Sequence, residues 1–201
     1  MIDLTRSIGP GYPVWPGDTP YHLEFTWSMA EGSSVNVGKI TTTTHLGTHL
    51  DAPYHYDAGG GRLESVPLTA LIGPCQVVEA RGKQVLEEDF IQSLGHLPER
   101  VLFYSGQPNR WERFPQQFMH VAPAAVQALA KKGVRLFGTD APSVDPLDSK
   151  DLPGHKAFAR AGIYILEGLA LEGVPPGAYE LIALPLRLEG ADASPVRALL
   201  R

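Results

Sequence analysis

One segment constrains this chain more than any other: His45-Leu-Gly-Thr-His49-Leu-Asp51-Ala-Pro-Tyr-His55. It sets three imidazoles and a carboxylate within eleven residues, around one glycine and one proline. Imidazole and carboxylate are the donor set of Zn²⁺ and its neighbours. A regular strand, at about 3.3 Å per residue, would hold His45 and His49 about 13 Å apart. Two donors that each lie about 2 Å from one ion stand no more than about 4 Å apart. If both serve one ion, the backbone folds between them, and Gly47 is where it turns most easily. The alternative is a loop bearing four unrelated polar residues. Histidine makes up only seven of 201 residues, so three in one short run favour a shared site.

The remainder of the chain has the composition of a globular protein, 43% apolar and 19% charged. A length of 201 residues is large for one domain and small for two, so a single domain spanning 1–201 is expected. The formal charge of −5 and the lack of any Lys/Arg run argue against a nucleic-acid partner. Cys75, the only cysteine, has no internal disulfide partner, and its apolar neighbours suit a buried small residue. The opening Met-Ile-Asp-Leu-Thr-Arg lacks the basic flank and apolar run of a signal peptide. No apolar stretch approaches the roughly 20 residues that span a bilayer. A soluble cytoplasmic protein with no membrane partner is expected.

Glycine and proline are plentiful but dispersed, punctuating short elements. Strands are expected at 2–4, 23–28, 35–44, 74–80, 101–104, 134–137 and 163–166, with 179–188 closing the chain. Helices are expected at 86–94, 122–132 and 151–161. The second opens on Pro123 and stops at Gly133, and the third stops at Gly162. Helix, turn and strand follow one another from 122 to 137, an α/β signature. Strands outnumber helices, so the expected fold is α/β or α+β with a mixed sheet.

Glu167 ends an apolar run whose flanks suggest burial on both faces. A lone carboxylate there is costly unless it meets a cation. His155, twelve positions earlier, lies in the first turn of the helix that leads back into that strand, so the two form a plausible second ligand pair. The alternative is that His155 caps the helix and Glu167 faces solvent. Asp140 and Asp145 follow the 134–137 strand, where α/β folds often line their sites. Beside prolines, they read better as supporting or turn residues.

The His45–His55 segment resembles the signature of the metal-dependent cyclase-like hydrolases. Within that group, Pro13-Val-Trp15-Pro-Gly-Asp-Thr-Pro20 is similar to the N-terminal motif of the bacterial kynurenine formamidases. So are Gly138-Thr-Asp-Ala-Pro-Ser-Val-Asp-Pro-Leu-Asp-Ser149 and Ile165-Leu-Glu167-Gly-Leu169. The resemblance runs from Ile2 to the last strand, with its motifs in order. It implies a swivelling β/β/α fold, a homodimer and hydrolysis of N-formyl-L-kynurenine. His45, His49 and Asp51 would be metal ligands, with Asp51 bridging two zinc ions, and His155 and Glu167 would complete the site. His55 would accept and donate protons, and Trp15 would pack on the aromatic substrate. Two positions depart from the pattern. Tyr104-Ser105 stands where Arg-Thr is expected, and Lys156 where a histidine is expected.

The implied chemistry needs a nucleophile stronger than water and a proton for the leaving amine. Two zinc ions would answer the first need, and His55, with an imidazole near its ordinary pKa, the second. A serine hydrolase would announce itself with Gly-x-Ser-x-Gly, which does not occur. Two alternatives stay open. One is a cyclic-amide hydrolase on the same scaffold, of the isatin-opening kind, with Mn²⁺ as an alternative metal. The other is a metal- or ligand-binding module without catalysis.

Overall fold

The structure is a computed structural model that describes residues 1–201. Its strands are short because Gly and Pro interrupt each β-prone run. The first half carries β1 (Ile2–Asp3), β2 (His22–Trp27), β3 (Val37–Thr41), β4 (His49–Asp51), β5 (Ile72–Glu79) and β6 (Val85–Leu86). The second carries β7 (Arg100–Tyr104), β8 (His120–Val121), β9 (Leu136–Thr139), β10 (Tyr164–Glu167), β11 (Gly177–Pro185) and β12 (Ala193–Leu200). The helices are α1 (Leu68–Leu71), α2 (Glu88–Ser93), α3 (Pro123–Lys131) and α4 (Pro153–Ala161).

Eight strands form one mixed sheet in the order β1-β12-β11-β5-β7-β9-β10-β4. Strand β4 pairs with β10 on one side and with the start of β12 on the other, which closes the sheet on itself. The run β5-β7-β9-β10 is parallel and the other pairings of this sheet are antiparallel. Parallel neighbours need crossovers, and α2, α3 and α4 lie in the connections between them.

Alternation along the parallel strands sorts the core into two. Leu102, Leu136 and Leu166 join Leu181 and Val196 inside the closed sheet. Their neighbours Val101, Phe103, Phe137 and Ile165 point outward, against Ile91, Leu129 and Phe158 of the helices. Phe137 lies 5.3 Å from Phe103 and 4.9 Å from Phe158 between ring centroids, joining sheet to helices. Each such ring or Leu removed from water contributes about 1.5–3 kcal/mol. The layering is therefore sheet, sheet and helix, the β/β/α arrangement. No helix is long and apolar enough to cross a membrane.

Two strand expectations need correction. The strand expected over 179–188 ends at Pro185, and a further strand, β12, follows it. Pro195 hides β12 from a propensity reading, since proline breaks most ladders. Here Pro195 faces His49 at the end of the β4 pairing, just before the β11 pairing begins at Val196. The expected 35–44 strand also contracts to β3, whose pairing with β2 forms a separate two-stranded ribbon.

Candidate metal centre

Strand register assembles the site. Across the β4–β10 pairing, His49 faces Glu167 and Asp51 faces Ile165. Residues two apart share a face, so His49 and Asp51 project to the same side as Glu167, while Leu50 and Leu166 enter the core. Gly47, at φ +65°, turns the backbone between His45 and His49 and brings their rings to 5.1 Å. The turn is locked from behind. Gly168 also has positive φ, and a Cβ there would lie 2.2 Å from the Gly47 carbonyl oxygen. Gly162, at φ +65°, ends α4 and sends the chain back into β10, setting His155 of the first helical turn beside Glu167.

The donor atoms converge. Asp51 Oδ1 is 3.2 Å from His45 Nδ1 and 3.4 Å from His49 Nε2, and Asp51 Oδ2 is 3.6 Å from His155 Nε2. Glu167 reaches His49 Nε2 at 3.4 Å and His155 Nε2 at 3.7 Å. Charge-assisted hydrogen bonds close to about 2.7–2.9 Å, and these do not. Both Asp51 oxygens are buried without a hydrogen-bond partner. Donors placed tetrahedrally at 2.0–2.1 Å around one ion stand about 3.3 Å apart, which is the spacing seen. Asp51 belongs to two groups within ligating reach, one with His49 and Glu167, the other with His45 and His55. The residues present therefore fit a divalent metal.

The outer nitrogens tell the same story. His49 Nδ1 is 3.0 Å from the Gly47 carbonyl, His155 Nδ1 is 2.7 Å from Asp145 and His45 Nε2 is 2.9 Å from Asp192. Each of these rings keeps one nitrogen for the cluster and fixes the other, as metal-ligating histidines do. Asp145 also accepts from the backbone N–H groups of Gly154 and His155, which anchors the start of α4. Asp140 accepts four hydrogen bonds from Ser105, Gly106 and Gln107 and so holds the loop after β7, a supporting role.

Charge in the metal-free cluster is shared between carboxylates and rings. Burial opposes protonation of His49, yet Asp51 and Glu167 outweigh it and push its pKa up to about 10. Burial likewise opposes protonation of His155, but Asp145 and Asp51 push it up to about 10. His55 behaves differently. Burial, helped by the neighbouring imidazoles against the pull of Asp51, pushes it down to about 4. It is neutral at pH 7, which corrects the expectation of an ordinary imidazole pKa. His55 packs against His45 with the rings tilted at 40° and their centroids 4.0 Å apart, and stands 3.7 Å from Asp192.

A cavity of about 250 Å³ opens over the cluster, bordered by His45, His49, His55, His155 and Glu167. Its other wall is aromatic, made of Tyr12, Trp15, Trp111 and Phe114. Trp15 meets Phe114 edge-on at 5.3 Å. All seven residues that the resemblance assigns to the site thus lie in or beside one cavity, with Asp51 buried behind its lining. Sequence reading missed Asp192, Trp111 and Phe114. Asp192 comes from the β11–β12 connection, 147 residues from His45, and nothing in its neighbourhood marks it. The two aromatics sit in irregular chain between β7 and β8, where no periodicity speaks.

Imidazoles with their outer nitrogens fixed, around a buried carboxylate that has no partner, define a metal-dependent enzyme. A family model described as "Putative cyclase" matches residues 2–146. The chain belongs to that family of metal-dependent, cyclase-like hydrolases. It is 47% identical over 201 residues to a kynurenine formamidase of Geobacillus thermodenitrificans (strain NG80-2), covering 100% of this chain and 96% of that one. Among solved structures it is similar to a potential metal-dependent hydrolase with cyclase activity, with a TM-score of 0.85 and 34% identity, covering 99% and 96% of the two chains. Isatin hydrolase A from Labrenzia aggregata, bound to benzyl benzoate, gives a TM-score of 0.83 at 25% identity, covering 99% and 92%.

Proposed function

We propose that this protein hydrolyses N-formyl-L-kynurenine to L-kynurenine and formate, as a single domain of residues 1–201 acting in the cytoplasm as a homodimer. The observation that carries the reading is the full-length 47% identity to a kynurenine formamidase, in a chain whose cluster and aromatic cavity adjoin. His45, His49, Asp51, His155 and Glu167 would hold two Zn²⁺ ions, with Asp51 shared between them; Mn²⁺ suits the same donors. When bound, such ions make water nucleophilic near neutral pH and polarise a carbonyl oxygen.

The protein's own groups do the rest. His55 is neutral at pH 7, so it starts as the base. It takes a proton from the attacking water and returns it to the aryl amine nitrogen as the C–N bond breaks. Trp15, braced by Phe114, offers a flat apolar wall for the aniline ring. Asp192, Asp145 and the Gly47 carbonyl hold the ligand rings in one orientation.

Metal analysis and formylkynurenine turnover on one preparation test the reading. Two ions per chain with turnover support it. One ion at full occupancy removes the binuclear part, and a metal-loaded protein without turnover removes the substrate. A second reading is an isatin-type cyclic-amide hydrolase, favoured by the likeness to isatin hydrolase A and by the aromatic cavity. A substrate panel separates the two. A purely binding module has no use for an imidazole such as His55, set beside the cluster and neutral at working pH.

A further inference from the structure

The motif Pro13-Val-Trp15-Pro-Gly-Asp18 brings the cavity more than an aromatic ring. Pro16 and Gly17 take the two central places of a β-turn, closed by the Asp18 N–H donating to the Trp15 carbonyl at 2.9 Å. Proline presets the first central place and Gly17, at φ +89°, supplies the left-handed second, the pattern of a type II turn. The ends of such a turn stand less than about 7 Å apart between Cα atoms. Trp15 and Asp18 are those ends, and both border the cavity.

Asp18 is a carboxylate without a cation. Asp3, Glu24, Glu79 and Glu180 each hold a Lys or Arg, whereas no such partner reaches Asp18. Its Oδ1 accepts from the Thr19 backbone N–H at 2.7 Å and its Oδ2 from the Thr43 hydroxyl at 2.8 Å. An ionised carboxylate offers about four lone-pair positions, so these two bonds orient it and leave capacity for a ligand. Outside the ligand cluster it is the one charged side chain on the cavity wall, where no Lys or Arg stands. Charge beside an apolar wall is costly until a cation meets it. A lone carboxylate with one hydroxyl beside it has too few donors for a metal ion. It suits an organic cation.

We propose that Asp18 is a specificity-determining residue that binds the primary ammonium of an amino-acid tail on the aryl formamide. The assignment rests on the formamidase reading above and adds which part of the tail the protein reads. With the aryl ring on Trp15, an ortho side chain a few bonds long carries its ammonium across the turn to Asp18. The tail's carboxylate meets no Lys or Arg on the wall. The protein therefore tells substrates apart by the amine and not by the acid.

Three aryl formamides given to the metal-loaded protein test this: formylkynurenine, the analogue without the tail's carboxylate, and the analogue without its amine. The first two should be hydrolysed with similar kcat/KM. The third should fare about 10-fold worse, through a raised KM, the usual worth of a hydrogen bond to a charged group. Asp18→Asn keeps a side-chain oxygen as acceptor for the turn, and its metal content reports the integrity of the site. In that variant the gap between amine-bearing and amine-free substrates should close. A parent that hydrolyses none of the three overturns the formamidase reading and the role of Asp18 together. A parent that hydrolyses all three alike, or loses only the carboxylate-free analogue, overturns the role of Asp18 and leaves the formamidase standing. So does a metal-loaded variant that keeps the full gap.

Discussion

Asp51 and His55 lie four positions apart and show how differently one short segment uses its polar groups. Asp51 is buried with both oxygens unpartnered, a state that only a cation relieves cheaply. His55 keeps part of its ring open to the cavity and is held neutral by burial and by the imidazoles around it. It also lies within ligating reach of His45 and Asp51, so geometry alone permits two roles. His55→Ala should keep both metal and fold while losing roughly 10²–10⁴-fold in rate, the usual share of a general acid–base group. Metal content and turnover on one sample decide; lost metal makes His55 a ligand. Trp15→Ala should leave metal content unchanged and lower kcat/KM by on the order of 1–3 kcal/mol, through the lost aromatic wall. An unaltered kcat/KM would reduce Trp15 to loop packing.

At the scale of elements, the site is a property of register. A slip of one residue between β4 and β10 would turn His49 and Asp51 into the core and Leu50 out of it. The backbone contact between Gly168 and Gly47 helps to fix that register. Gly168→Ala should therefore destabilise the fold by at least about 1–2 kcal/mol from the left-handed backbone alone. The collision with the Gly47 carbonyl adds to this, and metal affinity should fall with the displaced turn. Denaturant unfolding and metal titration of the variant measure both. Those same glycines explain what could be read beforehand. The histidine cluster was legible because its donors are close in sequence and a glycine sits where the chain must bend. Glu167 was legible because a carboxylate on a buried strand demands a reason. Strand β12 was not, since Pro195 masks a strand whose partners lie far along the chain. Asp192 was illegible for the same cause: a lone carboxylate in a connection acquires meaning only when folding brings it to His45.

Across the whole molecule the cluster acts as a store of protons. His49 and His155, both raised to about 10 by their carboxylate neighbours, each carry a proton at neutral pH in the metal-free chain. A nitrogen that binds metal must shed it. Metal uptake between about pH 7 and 8 should release about two protons from these two rings, and so tighten steeply with rising pH, levelling off as pH passes 10. Calorimetry in buffers of different ionisation enthalpy counts those protons, and uptake indifferent to pH would contradict the arrangement. The cavity sets a last condition on traffic. His49, Asp51, His155 and Glu167 are each at most 4% exposed, closed in behind by β4, β10 and α4, and all but Asp51 border the aromatic cavity. Ion and substrate then share that cavity as a way in, and whatever occupies it covers the metal. A chelator should strip the resting protein readily and stall when a non-hydrolysable aryl amide is bound, so that a working enzyme guards its own ions most closely while it is busy.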